Sequence, residues 1–280
     1  VKNSPKLWSD KFPKLTREGN KYSRGHALVV GGGEYSTGAA RLGAISALRA
    51  GAGLVTVISP KDAALVYAHH LTAVMLKSID SAKAFAKYIS DSRITSILIG
   101  PGTGVEKRTK DFVLEALKKD KNLVIDADAI TVHSSKPSQL FHDMHYSKGQ
   151  IVLTPHEGEF ARLFKRSKDK SVRAKIDDVV AAAKESGAVI LLKGADTVIA
   201  NPEGKFVVSE DSPPTLATAG SGDVLAGIIT GLMAQGMDGF NAACAGAWIH
   251  AQAAKQFGKG LIAEDLPGLI PSVLDKIIDK

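Results

Sequence analysis

Short apolar runs rich in β-branched residues recur along the chain. Each gives way to a glycine-rich or acidic turn and then to a stretch of helical periodicity. "HALVV" leads through "GGGEYSTG" to a helix predicted from about Ala39 to Ala50. "LVTVI" precedes a helix near Asp62 to His69, and "SILIG" opens through "PGTG" onto a helix around Lys107 to Lys119. "LVIDADA" and "IVLTPHEGE" repeat the theme. "VILLKGADTVIA", "NPEG" and "KFVVS" read as two strands around a turn, with Lys193 at the end of the first apolar run. Three helices are expected to close the chain.

Strands that are apolar throughout and separated by helices imply an α/β fold, a parallel sheet covered on both faces. Right-handed crossovers open successive turns on the same sheet edge, where ligands bind in such folds. "GGGEYSTGAA", "GPGTG", "DADA", "TPHEGE", "KGADT" and "GSGD" are therefore expected to line one cleft. No tandem repeat, low-complexity tract or Pro/Ser-rich linker divides the 280 residues, so one large domain is favoured.

Charge narrows the choice of ligand. The net charge is +7, yet the 36 basic residues are scattered rather than gathered with interleaved aromatics, which argues against nucleic acid. A basic surface suits a phosphate-bearing small molecule or simple solubility. The single cysteine, Cys244, has no internal disulfide partner, and no apolar run reaches membrane-spanning length, so a cytoplasmic location with no membrane partner is expected. Residues 1–20 form a lead segment without the features of a secretory signal, ahead of a domain at 21–280. Without an initiating methionine, the chain reads either as processed at its start or as one domain of a longer protein.

Two familiar readings of "GGGEYSTGAA" fail on spacing. A dinucleotide fingerprint needs glycine where Ser36 stands, and a P-loop needs lysine where Ala39 stands. What is left is a backbone anion cradle or a plain strand-to-helix turn. "HEGE" lacks the second histidine of a zinc protease because Phe160 occupies its place. His156 is then a ligand contact at a strand end or a structural histidine; His69 and His70 read as surface residues, and His250 as packed. Asp126 and Asp128 either point a carboxylate at a ligand or cap a helix. Lys193 either meets phosphate as a point charge or projects unpaired into solvent.

"AGSGD" is the sharpest signal. Gly220 and Gly222 make a turn, Ser221 is placed to cap, and Val224, Leu225, Ile228, Ile229 and Leu232 form an apolar stripe. Gly227 and Gly231, one helical turn apart, allow close helix packing. Asp223 sits where a helix N-terminus favours an anion, so it either complements the dipole or does chemistry beside a bound phosphate. The dipole is expected to lower its pKa.

The ordered set "GGGEYSTGAARL", "ALRAGAGLVTV", "IGPGTG", "IDADAI", "LTPHEGEFARL", "LLKGADTVIA" and "ATAGSGDVLAGII" resembles the ATP- or ADP-dependent NAD(P)H-hydrate dehydratases of the ribokinase-like superfamily. The likeness runs from about Lys21 to the last helix. It implies a three-layer α/β/α sandwich with a mostly parallel central sheet, and a repair reaction that returns hydrated NADH or NADPH to the working cofactor. ATP or ADP would serve as co-substrate with Mg²⁺, in a homo-oligomer. Carried over by position, Ala39, Gly102, His156 and Asp223 would touch the hydrated dinucleotide. Lys193, Gly194, Ala195, Asp196 and Thr197, with Gly222, would form the nucleotide site, and Asp223 would be the catalytic base. The missing methionine and the proline-containing lead suggest the C-terminal half of a bifunctional protein, and the resemblance implies that its partner domain would be an NAD(P)H-hydrate epimerase. Two departures stand out: Tyr22 replaces a usual glycine, and "SPPTLATAGSGD" replaces an asparagine- and glycine-rich lead-in. A ribokinase-like vitamin-precursor kinase and a non-catalytic nucleotide-sensing module are the rival readings.

Overall fold

The computed structural model describes residues 1–14, 16–169 and 171–278. Its first half alternates β1 (His26–Val30), α1 (Thr37–Arg49), β2 (Leu54–Ser59), α2 (Ala64–His70), β3 (Met75–Ser78), α3 (Ala82–Ile89), β4 (Ile94–Ile99) and α4 (Lys107–Lys118). Then come β5 (Asn122–Ile125), α5 (Ala127–Thr131), α6 (Pro137–Tyr146), β6 (Ile151–Leu153), α7 (Glu157–Leu163) and α8 (Val172–Ser186). The chain continues with β7 (Val189–Leu192), β8 (Thr197–Ala200) and β9 (Phe206–Ser209), and ends in α9 (Ser221–Ala234), α10 (Gly239–Phe257) and α11 (Leu266–Ile278).

The strands form one sheet in the order β3-β2-β1-β4-β5-β6-β7-β8-β9. Pairing is parallel from β3 through β7 and antiparallel from β7 to β8 and from β8 to β9. The apolar alternation explains the layers. Ala27 and Val29 face the side covered by α1, α9, α10 and α11, while Leu28 and Val30 face α3 to α8. The result is the expected three-layer, mostly parallel sandwich.

Two expectations need correcting. "VILLKGADTVIA" is two strands rather than one, because the chain reverses at Lys193–Asp196 so that Leu192 faces Val198. Both halves are buried on both faces, so apolar pattern alone carries no mark of the reversal. The helix α9 is also buried almost all round from Val224 to Ala234, not along one stripe, because α1, α10 and the sheet enclose it.

The first twelve residues dock on this body. Val1 and Asn3 exchange backbone hydrogen bonds with Val208 at 2.9 and 2.8 Å, extending the β9 edge. The fully buried Trp8 stacks edge-on against Trp248 of α10 at 5.8 Å.

α1 and α9 pack backbone to backbone. A Cβ at Gly227 would run into the Gly43 carbonyl oxygen, and one at Gly231 into that of Ala47. Gly227→Ala is therefore expected to lower stability by roughly 1–3 kcal/mol in denaturant unfolding, through forced separation of the two helices. Gly268→Ala in α11, where a Cβ meets nothing within 4 Å, should be neutral or stabilising by up to about 1 kcal/mol. Equal effects at the two positions would remove the close-packing explanation.

Candidate active site

The acidic and glycine-rich turns gather at the C-terminal edge of the parallel strands. Asp126 follows β5 and is only 1% exposed. Its Oδ1 accepts a hydrogen bond at 2.9 Å from Nζ of Lys193, which follows β7. So Lys193 is neither a free point charge nor unpaired in solvent. Burial pulls its ammonium pKa down, but the Asp126 charge and hydrogen bond outweigh this and hold it above the ordinary value. Asp126 occupies the cap position of α5 without making a capping bond, whereas Asp128 accepts from the Gly104 amide at 2.9 Å and ties the β4 turn to α5.

Asp223 lies in the first turn of α9. Gly220 adopts φ 86° there, a left-handed conformation suited to glycine, and serves as the N-cap. Ser221 does not cap: its hydroxyl donates to the Leu216 carbonyl at 2.7 Å, because the left-handed step at Gly220 places it inside the helix. The expectation of a depressed Asp223 pKa is overturned. Burial chiefly, and then the Asp126 carboxylate, push it up to about 6, against the pull of Lys193. The helix terminus is outweighed because Lys193 is already committed to Asp126 and most of the water around Asp223 is gone.

The edge is divided rather than one continuous cleft. A cavity of about 600 Å³ is lined by Lys193, Gly194, Ala195 and Thr197 on one side and Ser221, Gly222 and Leu225 on the other. Pro213, Pro214 and Leu216, from the unusual lead-in, form an apolar wall. Asp196 is absent from this lining; its carbonyl accepts from Lys175 at 2.8 Å and so anchors the loop. A second cavity, of about 320 Å³, is lined by Gly102 with Glu34, Asp62 and Glu106. Ala39 stands beside it, since a Cβ on Gly102 would lie 3.3 Å from the Ala39 Cβ.

His156 lines the first cavity, away from Ala39 and Gly102. It is the N-cap of α7: Nδ1 accepts from the amides of Gly158 and Glu159 at 2.9 and 3.2 Å, and Glu159 accepts from the His156 amide in return. The capping arrangement fixes the ring at the cavity mouth. His250, read from sequence as packed, is indeed 6% exposed, yet it too lines this cavity. Burial pushes its imidazole down to about 4, so it is neutral at physiological pH. Its apolar helical context gave no sign of this position, because α10 reaches the cavity only through tertiary packing.

Two stability measurements test this electrostatic arrangement. Lys193→Ala leaves the Asp126 carboxylate buried without its cation and should cost roughly 3–5 kcal/mol, with most of the loss recovered in Lys193→Ala/Asp126→Asn. An unaltered unfolding midpoint in the single variant would show that the pair is not a buried one. Asp223 has a folded pKa above its unfolded value, so its contribution to stability is complete below about pH 4 and lost as pH rises through about 6. Asp223→Asn should accordingly match the wild type near pH 4 and exceed it by up to about 2–3 kcal/mol at pH 8. A constant difference across that range would contradict the raised pKa.

The family described as NAD(P)H-hydrate dehydratase matches residues 27–276. A bifunctional NAD(P)H-hydrate repair enzyme of Moorella thermoacetica is 38% identical over 277 residues, covering 94% of this chain and 52% of that protein. An ADP-dependent (S)-NAD(P)H-hydrate dehydratase of Xanthomonas campestris is 32% identical, covering 92% of this chain and 91% of its own length. The chain thus spans about half the length of the bifunctional relatives. In fold, it matches the ADP/ATP-dependent NAD(P)H-hydrate dehydratase of Bacillus subtilis, co-crystallised with ATP/Mg²⁺, with a TM-score of 0.83 at 24% identity over 98% of this chain and 97% of that one. A ribokinase-like superfamily protein of Enterococcus faecalis matches with a TM-score of 0.80 at 22% identity, over 98% of this chain and 95% of that one. With the match to that family running nearly end to end over a sheet edge of the expected architecture, the chain belongs to the NAD(P)H-hydrate dehydratase family, built on the ribokinase-like fold.

Proposed function

We propose that the protein dehydrates hydrated NADH or NADPH back to the reduced cofactor at the expense of ATP or ADP. The observation that carries the reading is the placement of Asp223: a carboxylate with its pKa raised to about 6, adjacent in sequence to Gly222 on the wall of the 600 Å³ cavity. A general base works best when its pKa approaches the operating pH. Burial supplies that here, where a helix terminus alone would give a weaker base.

Hydroxide is a poor leaving group and phosphate a good one. Asp223 accepts the proton of the hydrate hydroxyl as its oxygen attacks the terminal phosphorus of the nucleotide, whose bridging P–O bond breaks. Phosphate then departs from carbon with its bonding electron pair, the neighbouring carbon gives up a proton, and the double bond is restored. Phosphoryl transfer is mainly positioning and charge stabilisation. The first-turn amides of α9 face the anion. Lys193, Gly194, Ala195 and Thr197 hold the nucleotide with Gly222, while Asp196 fixes their loop through Lys175. Ala39, Gly102, His156 and Asp223 contact the hydrate, and the neutral His250 bounds the nucleotide cavity.

Mg²⁺ belongs to the same proposal. Among the described residues no group of three His, Cys, Asp or Glu side chains could cage a metal. When bound, Mg²⁺ would be held chiefly by the nucleotide phosphates, as it usually is, and would neutralise phosphate charge. No described helix is long and apolar enough to cross a membrane. The cytoplasm, a homo-oligomeric state, and a division into a lead at 1–20 and a catalytic domain at 21–280 complete the proposal. So does an epimerase domain in the same protein, which the greater length of the bifunctional relatives supports.

Incubating the protein with nucleotide, Mg²⁺ and NADH hydrate should regenerate the absorbance of reduced nicotinamide. A stable phosphoester instead would favour the small-molecule kinase, and nucleotide binding without turnover the sensing module. Asp223→Asn should retain the fold and much of the nucleotide affinity while losing roughly 10²–10⁴-fold in turnover. In the wild type, kcat/KM should rise with pH through an acid limb near pH 6. Asp126→Asn removes a neighbouring negative charge and frees that of Lys193, so this limb should move to lower pH. An unmoved limb would dissociate the profile from Asp223.

A further inference from the structure

A groove of about 400 Å³ runs along α1 outside both cavities described above. We propose that it seats the adenosine diphosphate arm of the hydrated dinucleotide and reads the 2′-phosphate that distinguishes NADPH from NADH. The proposal rests on the dehydratase reading.

The groove begins at the reacting end. Gly220 marks the junction: a side chain there would meet Leu42 Cδ1 at 2.8 Å, Ala263 Cβ at 2.9 Å and Asp223 Oδ2 at 4.0 Å. Leu42 lines the groove, and so does Gly38, the neighbour of Ala39. From Gly38 the floor follows one face of α1 to Arg49, roughly three turns or about 16 Å. An extended dinucleotide arm spans a comparable length.

Chemistry along the groove is graded. Arg41, at the near end, is half-buried and has neither ion-pair nor hydrogen-bond partner among the described residues. Its planar fork suits a diphosphate. Ile45 and the buried Val74 give an apolar stretch for the adenine. Arg49 and His70, both exposed, stand at the far end, opposed by a single groove carboxylate, Glu264. The 320 Å³ cavity beside Gly102, by contrast, is lined by Glu34, Asp62 and Glu106. Three acids repel a diphosphate, so charge directs the arm along α1.

The test uses ADP-ribose and its 2′-phosphate as probes, titrated by calorimetry into protein whose nucleotide cavity is already saturated with a non-hydrolysable ATP analogue. The 2′-phosphate should bind roughly tenfold tighter or better, and Arg49→Ala should erase that difference. Arg41→Ala should weaken both probes by roughly ten- to a hundredfold and raise KM for both hydrates, with Arg41→Lys recovering part of the loss. Circular dichroism and melting of each variant establish that it is folded. No probe binding to the saturated wild type, or unchanged affinities in both alanine variants, overturns the groove. Turnover of NADH hydrate with an unaltered KM in Arg41→Ala also overturns it while leaving the dehydratase reading intact. Arg41-dependent probe binding without any turnover supports the groove and overturns the dehydratase reading instead.

Discussion

The backbones of α1 and α9 touch where Gly227 and Gly231 meet Gly43 and Ala47, and this contact fixes the geometry of everything at the sheet edge. Two helices approach this closely only when no side chain separates them, and their relative position is then set by main chain rather than by adaptable side chains. The N-terminus of α9 carries Asp223 and that of α1 carries Ala39, so one rigid seam positions these two residues together. The same face of α1 that continues past Ala39 forms the groove containing Arg41 and Arg49.

Charge at the edge is arranged asymmetrically. Asp126 and Asp223 lie near one ammonium, and Lys193 bonds to Asp126, the more deeply buried of the two. Asp126 stays paired and keeps Lys193 charged; Asp223 is left half-buried beside a negative neighbour, and its proton affinity rises. A carboxylate with its pKa raised this way costs stability at neutral pH, because the native state would be more stable with the carboxyl protonated. The rigid seam and the buried sheet beneath supply the stability against which that cost is set.

Glycine turns, a buried carboxylate and helix amides also occur together in small-molecule kinases of related fold, and fold alone does not select among their reactions. What favours the proposed dehydration here is the combination of family membership with a carboxylate whose pKa is raised to about 6. The apolar wall of Pro213, Pro214 and Leu216 gives the 600 Å³ cavity a different lining from that expected of an asparagine- and glycine-rich lead-in.

The sequence by itself determined the layers and the location of the site. Apolar runs such as "HALVV" must be buried on both faces, and right-handed crossovers then bring their following turns to one edge, so Ala39, Gly102, His156, Lys193 and Asp223 were identifiable as edge residues from local pattern alone. Glycine spacing in α9 likewise foretold the close approach to another helix. Tertiary structure alone decided which partners these residues found. The Lys193–Asp126 pair joins positions 67 residues apart, and His250 reaches the 600 Å³ cavity from a helix whose own sequence is featureless. The reversal at Lys193–Asp196 lies within one apolar run, and hydrophobic periodicity is blind to a reversal when both halves are fully buried. The pKa of Asp223 could not be read locally, since the visible cue, a helix N-terminus, predicts a lower value. Its proton affinity is set by desolvation and by the Asp126 carboxylate from the turn after β5, and both depend on what the folded chain places around it.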